Sequence, residues 1–284
     1  VHVKKAFAEY TAAYNADDPK IKLKIDHTYR VAALCERIAK AAGMCAYDVE
    51  LAWLSGMLHD VGRFEQIKRY NTFSDADSVD HAKFGADLLF KDGLISTFLK
   101  GMVKCTGYKP GALEDRYDSD GVFLYDRLNK SDMEMLELAI RCHNMYRIPQ
   151  GLNCREQAFC NVLRDADKVD IFKVNIDTPL EEIYNTTTEE LMKSDITDEV
   201  LEAFDEEHCI LKAIRRTPAD TVIGHVSLAY ELVYDESVRI TVEQGYLAKL
   251  MHFHSDNEET NRKMAMVREK MDSYVKKRIV EKDA

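Results

Sequence analysis

The sequence predicts an all-α fold, and three observations carry that expectation. Glycine and proline are scarce, 12 and 5 residues in a chain of 284, whereas a chain built of strands needs many tight turns. Apolar residues recur at i, i+3 or i+4, and i+7 through several segments, which is the period of one helix face. The balance of 46% hydrophobic to 31% charged residues is that of a globular chain and not a disordered one.

The elements follow in order. Residues 2–15 read as a first helix, broken at Asp17-Asp18-Pro19. A second helix spans about 25–42 and stops at Gly43. A third starts near Asp48, a candidate N-cap, and ends around Gly62. Residues 63–77 read as irregular. A fourth helix runs from about Ser78 to Phe90, with a short helical piece at 94–104. Residues 105–131 carry Gly107, Pro110, Gly111 and Gly121 and form the longest loop-like stretch, a candidate lid or surface insertion. Helices follow at about 132–146, 155–175, 188–194, 198–206 and 218–234, and a highly charged amphipathic stretch covers 259–280. No internal repeat, low-complexity tract or Gly/Ser linker interrupts the chain. It reads as a single all-α domain over 1–284 with a C-terminal helical extension.

Composition also excludes several function classes. The net charge of −11 makes the chain a poor non-specific binder of long nucleic acid, while leaving room for a local basic pocket. No apolar run approaches the ~18–20 residues of a membrane span. The first residues show no apolar core followed by a cleavage site, so no secretory signal is visible. The cysteines at 35, 45, 105, 142, 154, 160 and 209 are odd in number and lack C-x-x-C spacing. A disulfide scaffold or thiolate zinc site is not expected, and a reducing cytoplasm fits best. No G-x-S-x-G, Walker loop or G-x-G-x-x-G is present. Cys142 adjoins His143, but neighbours in a helix do not face each other, which argues against a thiol mechanism.

The informative feature is where histidines and carboxylates fall on the expected helices. His27 shares an apolar stripe with Val31, Leu34 and Ile38. His59 follows a stripe of small residues, Ala52, Ser55 and Gly56, which would let a neighbouring helix approach closely, and Asp60 comes next. His81 lies on a face with Gly85 and Leu88, and His143 on one with Leu136, Ala139 and Ile140. Asp167 shares a face with Cys160, Leu163, Ile171 and Val174. Asp165 and Asp167 are ~200° apart on a helix and cannot face one site, and the stripe selects Asp167. Asp170, one turn on, could orient a ligand. Any one such histidine is more often a hydrogen-bonded core residue, and Asp167 could pair with an arginine. Five helices each aiming such a group inward point instead to a metal centre, the way helical bundles build one. Imidazole with carboxylate suits Fe, Mn, Ni, Co or Zn.

These residues resemble the HD-domain metal-dependent phosphohydrolases, whose pattern is a His, a later His-Asp doublet and an Asp downstream. Here that pattern falls on His27 in HTYRV, His59 and Asp60 in GMLHDVGRFEQ, and Asp167 in RDADKVD. The resemblance covers about 22–175, an HD core, and leaves about 176–284 as the helical extension. It implies one tight divalent metal held by His27, His59, Asp60 and Asp167. Branches with two additional histidines bind a second metal bridged by the doublet Asp; His81 in SVDHAKFGADLL and His143 in AIRCHNMYRIP sit where those would be, though the 105–131 stretch alters the spacing. With one metal only, these two histidines would instead touch phosphate or take part in catalysis.

The implied activity is hydrolysis of a small phosphorylated substrate, a nucleotide or another phosphomonoester or diester, by metal-activated water. Asp60, Arg63 and Lys168 are the expected catalytic groups. Arg63 and Lys168 would also bind substrate by neutralising phosphoryl oxygens, with Asn144 and Arg30 as further contacts; Arg30 could equally pair with a site carboxylate. His208, His225, His252 and His254 read as structural or surface residues. Neither membrane nor long nucleic acid is an expected partner, and a homo-oligomer is compatible with the sequence. Two other classes share the ligand set: di-iron oxygenases acting on an organic substrate, and regulatory modules that bind a nucleotide without turnover.

Overall fold

Asp18 and Pro19 break the chain because together they start a helix. In the computed structural model, which describes residues 2–15, 17–99 and 128–280, α1 covers His2–Thr11 and α2 covers Pro19–Ala41. The Asp18 carboxylate accepts from the Lys20 N–H at 2.8 Å, and Pro19 occupies the first turn, where its missing N–H loses no bond. The helix therefore begins before the expected position 25.

The next helix, α3 (Ala46–Leu58), lies along α2. Gly56 makes the approach close, since a Cβ there would stand 2.7 Å from the Ala32 Cα. The small-residue face thus seats α2, as its composition suggests. Two expectations are corrected at the end of α3. It stops at Leu58, so His59 and Asp60 form a corner and not the last turn of one helix. Residues 63–70, expected to be irregular, belong to α4 (Val61–Tyr70). Val61, Phe64 and Ile67 are buried at three-residue spacing, and Asn71 closes the helix in the left-handed region at φ 54°. Three apolar residues among Arg63, Glu65, Lys68 and Arg69 are too few to display a period in the sequence.

A third correction concerns the next helix, which starts after Ser78. In α5 (His81–Ala86), the Asp80 carboxylate caps the N–H groups of Ala82 and Lys83. It widens into a π turn at Asp87–Lys91 and is followed by α6 (Ile95–Leu99). Most of the 105–131 stretch, and Cys105 with it, lies outside the described residues. A capping box of Asn129 and Asp132 opens α7 (Lys130–Cys142), and α8 spans Cys154–Asp177. Helix α7 ends at Cys142, earlier than the expected 146, and His143 follows as its cap with right-handed helical backbone (φ −64°, ψ −32°).

The chain divides into two compact units, Val1–Leu163 and Arg164–Ala284, parting inside α8. In the first, Val31, Ile38, Leu51, Leu54, Leu58, Phe64, Leu136 and Ile140 are fully or almost fully buried. Helix α5 packs on α4 and α7, and α3 packs on α2 and α7. Those contacts gather the ends of α3, α4, α5 and α7 in one place.

The second unit is the rest of α8 with α9 (Leu180–Tyr184), α10 (Thr188–Lys193), α11 (Asp198–Asp205), α12 (Pro218–Val226), α13 (Asp235–Gln244), α14 (Tyr246–Met251) and α15 (Glu258–Val280). Helix α12 ends earlier than the expected 234 and gives way to a 3-10 turn at Ser227–Glu231. The sequence reading contains no counterpart of α9, α13 or α14, each short or largely polar. The core is Phe172, Leu191, Ile196, Val200, Ile223 and Met271 with their neighbours. Asp165 is fully buried and tethers the start of α13, accepting from the N–H groups of Val233 and Tyr234 and the Ser237 hydroxyl at 2.7–3.0 Å. Among the described residues no helix is long and apolar enough to cross a membrane, and no described cysteine forms a disulfide.

His225 in α12 gives this unit a pH dependence. Its Nδ1 is buried without a hydrogen bond among the described residues, and burial, with Arg215 and Lys212 adding to it, lowers its pKa to about 3. An unfolded imidazole titrates near ~6.5, so as pH falls below that value the unfolded chain takes up a proton that the native ring refuses. The stability held above that pH is lost at about 1.4 kcal/mol per pH unit until the native ring titrates. Urea unfolding at pH 6.5 and 4.5 should show wild type losing about 2–3 kcal/mol more than His225→Phe. Equal losses would contradict this assignment.

Candidate metal centre

Asp60 occupies the N-cap position of α4, where a carboxylate would ordinarily bond the first N–H groups, yet its side chain makes no cap. It turns inward and is almost wholly buried. Oδ2 lies 3.6 Å from Nε2 of His27 and 3.6 Å from Nε2 of His59. Oδ1 lies 3.5 Å from Nε2 of His81 and 3.9 Å from Nε2 of His143. Each carboxylate oxygen thus faces one pair of imidazoles, and Oδ1 makes no hydrogen bond among the described residues. Burial pushes the carboxyl upward, but Lys24, with His59, His81 and Arg63, overrides it and holds Asp60 well below the usual carboxylate range.

The imidazole pairs are themselves informative. His59 donates its Nδ1–H to the Gly56 carbonyl, and His143 donates its Nδ1–H to the Ile140 carbonyl, each at 2.7 Å. His81 donates its Nδ1–H to Asp75 Oδ2, also at 2.7 Å. Neutral rings fixed this way carry lone pairs, not protons, on Nε2. Nevertheless His81 and His143 bring Nε2 to 3.1 Å from Nε2, and His27 and His59 bring theirs to 3.3 Å. Burial, reinforced by Arg63, lowers the His81 pKa to about 4. Two nitrogens bound to one ion at ~2.1 Å with angles of 90–110° stand about 3.0–3.4 Å apart. The pairs have that separation, and His59, Asp60 and His143 each offer a ligand atom within 4.8 Å of the others. The donor set, two imidazole pairs about one shared carboxylate, fits divalent transition metal.

The expected substrate cations are differently placed. Arg63 donates from Nη1 to the Phe73 carbonyl, Gln66 Oε1 and Asp75 Oδ1 at 2.7–2.9 Å. Its Nε stays buried 3.8 Å from Asp60 Oδ1. Asn144 donates to Asp80 Oδ1 at 3.0 Å and approaches Asp75 Oδ2 at 3.4 Å. Arg30 lies half-buried on α2. In the second unit, Lys168 is buried, its Nζ 3.4 Å from the Arg164 carbonyl, and burial lowers its pKa to about 8. Asp167 is half-buried on α8, beside an Asp165 already committed to α13. His208, His225, His252 and His254 all fall in the second unit.

Three residues at the centre escape sequence reading. Lys24 places Nζ 2.7 Å from Asp60 Oδ2, with Phe73 beneath it at 5.5 Å. It precedes His27 by one helical turn, a spacing that could have marked it. Asp75 and Gln66 give no local signal, since their partners come from tertiary contacts.

No curated protein and no solved structure matches the chain. Residues 25–172, just over half of its length, match the HD-domain family over the segment that carries the histidine pairs and the Asp60 carboxylate between them. The chain therefore belongs to the HD-domain family, a superfamily of metal-dependent phosphohydrolases.

Proposed function

We propose that this chain is a phosphohydrolase that cleaves a small phosphate ester, a nucleotide or another phosphomonoester or diester. The observation that carries the reading is the Asp60 carboxylate, each oxygen turned to a different imidazole pair. In this reading His27, His59 and Asp60 hold one ion, with Asp167 completing the set as the family pattern implies. His81 and His143 hold a second and share Asp60. A divalent metal bound there supplies positive charge to phosphoryl oxygens and acidifies the attacking water. The chain's own residues do the rest. The carbonyls of Gly56 and Ile140 and the Asp75 carboxylate fix three rings with Nε2 facing the centre. Lys24 beside it, with His59, His81 and Arg63, holds the Asp60 carboxyl well below the usual carboxylate range.

Arg63 is held by three acceptors, Gln66, Phe73 and Asp75, whereas Lys24 has Asp60 as its single acceptor among the described residues; Lys24 is the cation we assign to donate from Nζ to a phosphoryl oxygen. Lys24→Met should lower kcat/KM by about 10²-fold with metal content unchanged. Steady-state kinetics beside elemental analysis checks this, and wild-type kinetics in the variant would exclude Lys24 from the site.

The deciding experiment loads the protein with Mn²⁺, Fe²⁺ or Co²⁺ and assays a panel of nucleotides and phosphate esters, with O₂ uptake measured in parallel. Metal-dependent ester cleavage is the expected result. O₂ consumption without cleavage would move the chain to the oxygenases, and full metal occupancy with neither activity would make it a regulatory module. The acidic composition supports an enzyme acting on small molecules and not on long nucleic acid.

A further inference from the structure

The two halves of the centre are anchored differently. His59 and His143 donate Nδ1–H to carbonyls three residues upstream, so their orientation comes with the helix. His81 donates instead to a side chain, Asp75, from the segment between α4 and α5. Asp75 is held in turn: its Oδ1 accepts from Arg63 Nη1 at 2.9 Å and from Gln66 Nε2 at 3.0 Å. Gln66 is fully buried, and its Nε2 also reaches Ser78 Oγ at 2.8 Å and the Val79 carbonyl at 3.0 Å. Asn144, next to His143, approaches the same Asp75 Oδ2 at 3.4 Å. One carboxylate of the 71–80 segment therefore ties together α4, His81 and Asn144 beside His143.

We propose that Asp75 is a positioning residue that sets the metal affinity of the His81–His143 half, so that the two halves of the centre fill unequally. The inference rests on the two-ion reading above. A carboxylate behind an imidazole fixes its ring and raises its basicity as a ligand, and losing such a partner commonly weakens metal binding ~10–100-fold. His59 is anchored instead on the Gly56 carbonyl, and Asp75 on Arg63, Gln66 and His81, so the His27–His59 half should not feel the change.

The test titrates metal-stripped protein with Co²⁺ and follows visible absorption and heat, with circular dichroism to confirm the fold. Wild type should take up two equivalents. In Asp75→Ala one equivalent should bind as in wild type and the other about 10–100-fold more weakly. Asp75→Asn keeps an acceptor oxygen for the His81 N–H and a similar shape, so its loss should be smaller and confined to the same equivalent. It decides the matter if the alanine variant does not fold. Unchanged affinity for both equivalents in the folded variants, or equal weakening of both, overturns the proposal. Fewer than two equivalents in wild type would bring down the two-ion reading itself, and the role of Asp75 with it.

Discussion

Asp60→Ala should lower phosphate-ester hydrolysis by on the order of 10³-fold or more and leave the protein with less than one equivalent of bound metal. Asp60 is the only carboxylate among the described residues whose two oxygens face the four imidazoles, 3.5–3.9 Å from their Nε2 atoms. In the proposed centre its removal would take a ligand from both halves at once, whereas loss of any single histidine would touch one. Asp60→Asn separates charge from shape: the amide fits the cavity but carries no charge to balance the cations, so it should behave nearly as the alanine variant does. The fold should survive, because the corner is held by Leu58, Val61 and Phe64, all buried, and Lys24, part-exposed at 17%, can turn to water once its partner is gone. Phosphate release, elemental analysis and circular dichroism read the three consequences. Wild-type turnover in a folded, metal-free Asp60→Ala would sink the proposed chemistry.

Gly62→Ala should destabilise the protein by about 2–4 kcal/mol, although alanine is the better helix former by ~1 kcal/mol. Helices α4 and α5 cross backbone to backbone at Gly62 and Gly85. A Cβ on Gly62 would lie 2.3 Å from the His81 carbonyl oxygen, 2.7 Å from the Gly85 nitrogen and 2.9 Å from its Cα. None of these belongs to a flexible side chain that can step aside, so α5 must shift as a whole. The expected fall in Tm is about 5–15 °C. Because the nearest atom belongs to His81, the shift should also weaken Co²⁺ uptake by the His81–His143 half. A Tm within a degree of wild type would show that the crossing is looser than the distances imply.

The candidate ligands were legible because their signals are local. His27 lies on an apolar stripe of α2, the doublet follows a run of small residues, and the choice of Asp167 over Asp165 is bare helical geometry; Asp165 does point elsewhere, to the start of α13. Element boundaries were less legible. His59, Asp60, His81 and His143 all sit at helix ends, where caps and corners, not periodicity, set the conformation. Helix α4 was hidden by its charged surface, although its buried stripe of Val61, Phe64 and Ile67 is regular. The roles of the cations depended on partners far along the chain. Arg63 looked available for phosphate until Asp75 and Phe73 proved to occupy it, and Lys24 drew no notice until the fold set it against Asp60.

Residue types and their spacing therefore suffice for the fold class and for the list of candidate ligands, because a helix relates positions three and four apart by its own geometry. They do not suffice for how those groups are used. That the Asp60 oxygens divide between two imidazole pairs, that His81 leans on Asp75 while His59 and His143 lean on backbone, and that Lys24 supplies the nearest cation are matters of distance between separate elements. Such distances are set by packing at contacts like Gly62 against Gly85 and Gly56 against Ala32, where absent side chains let backbones meet, and no one-dimensional pattern encodes them.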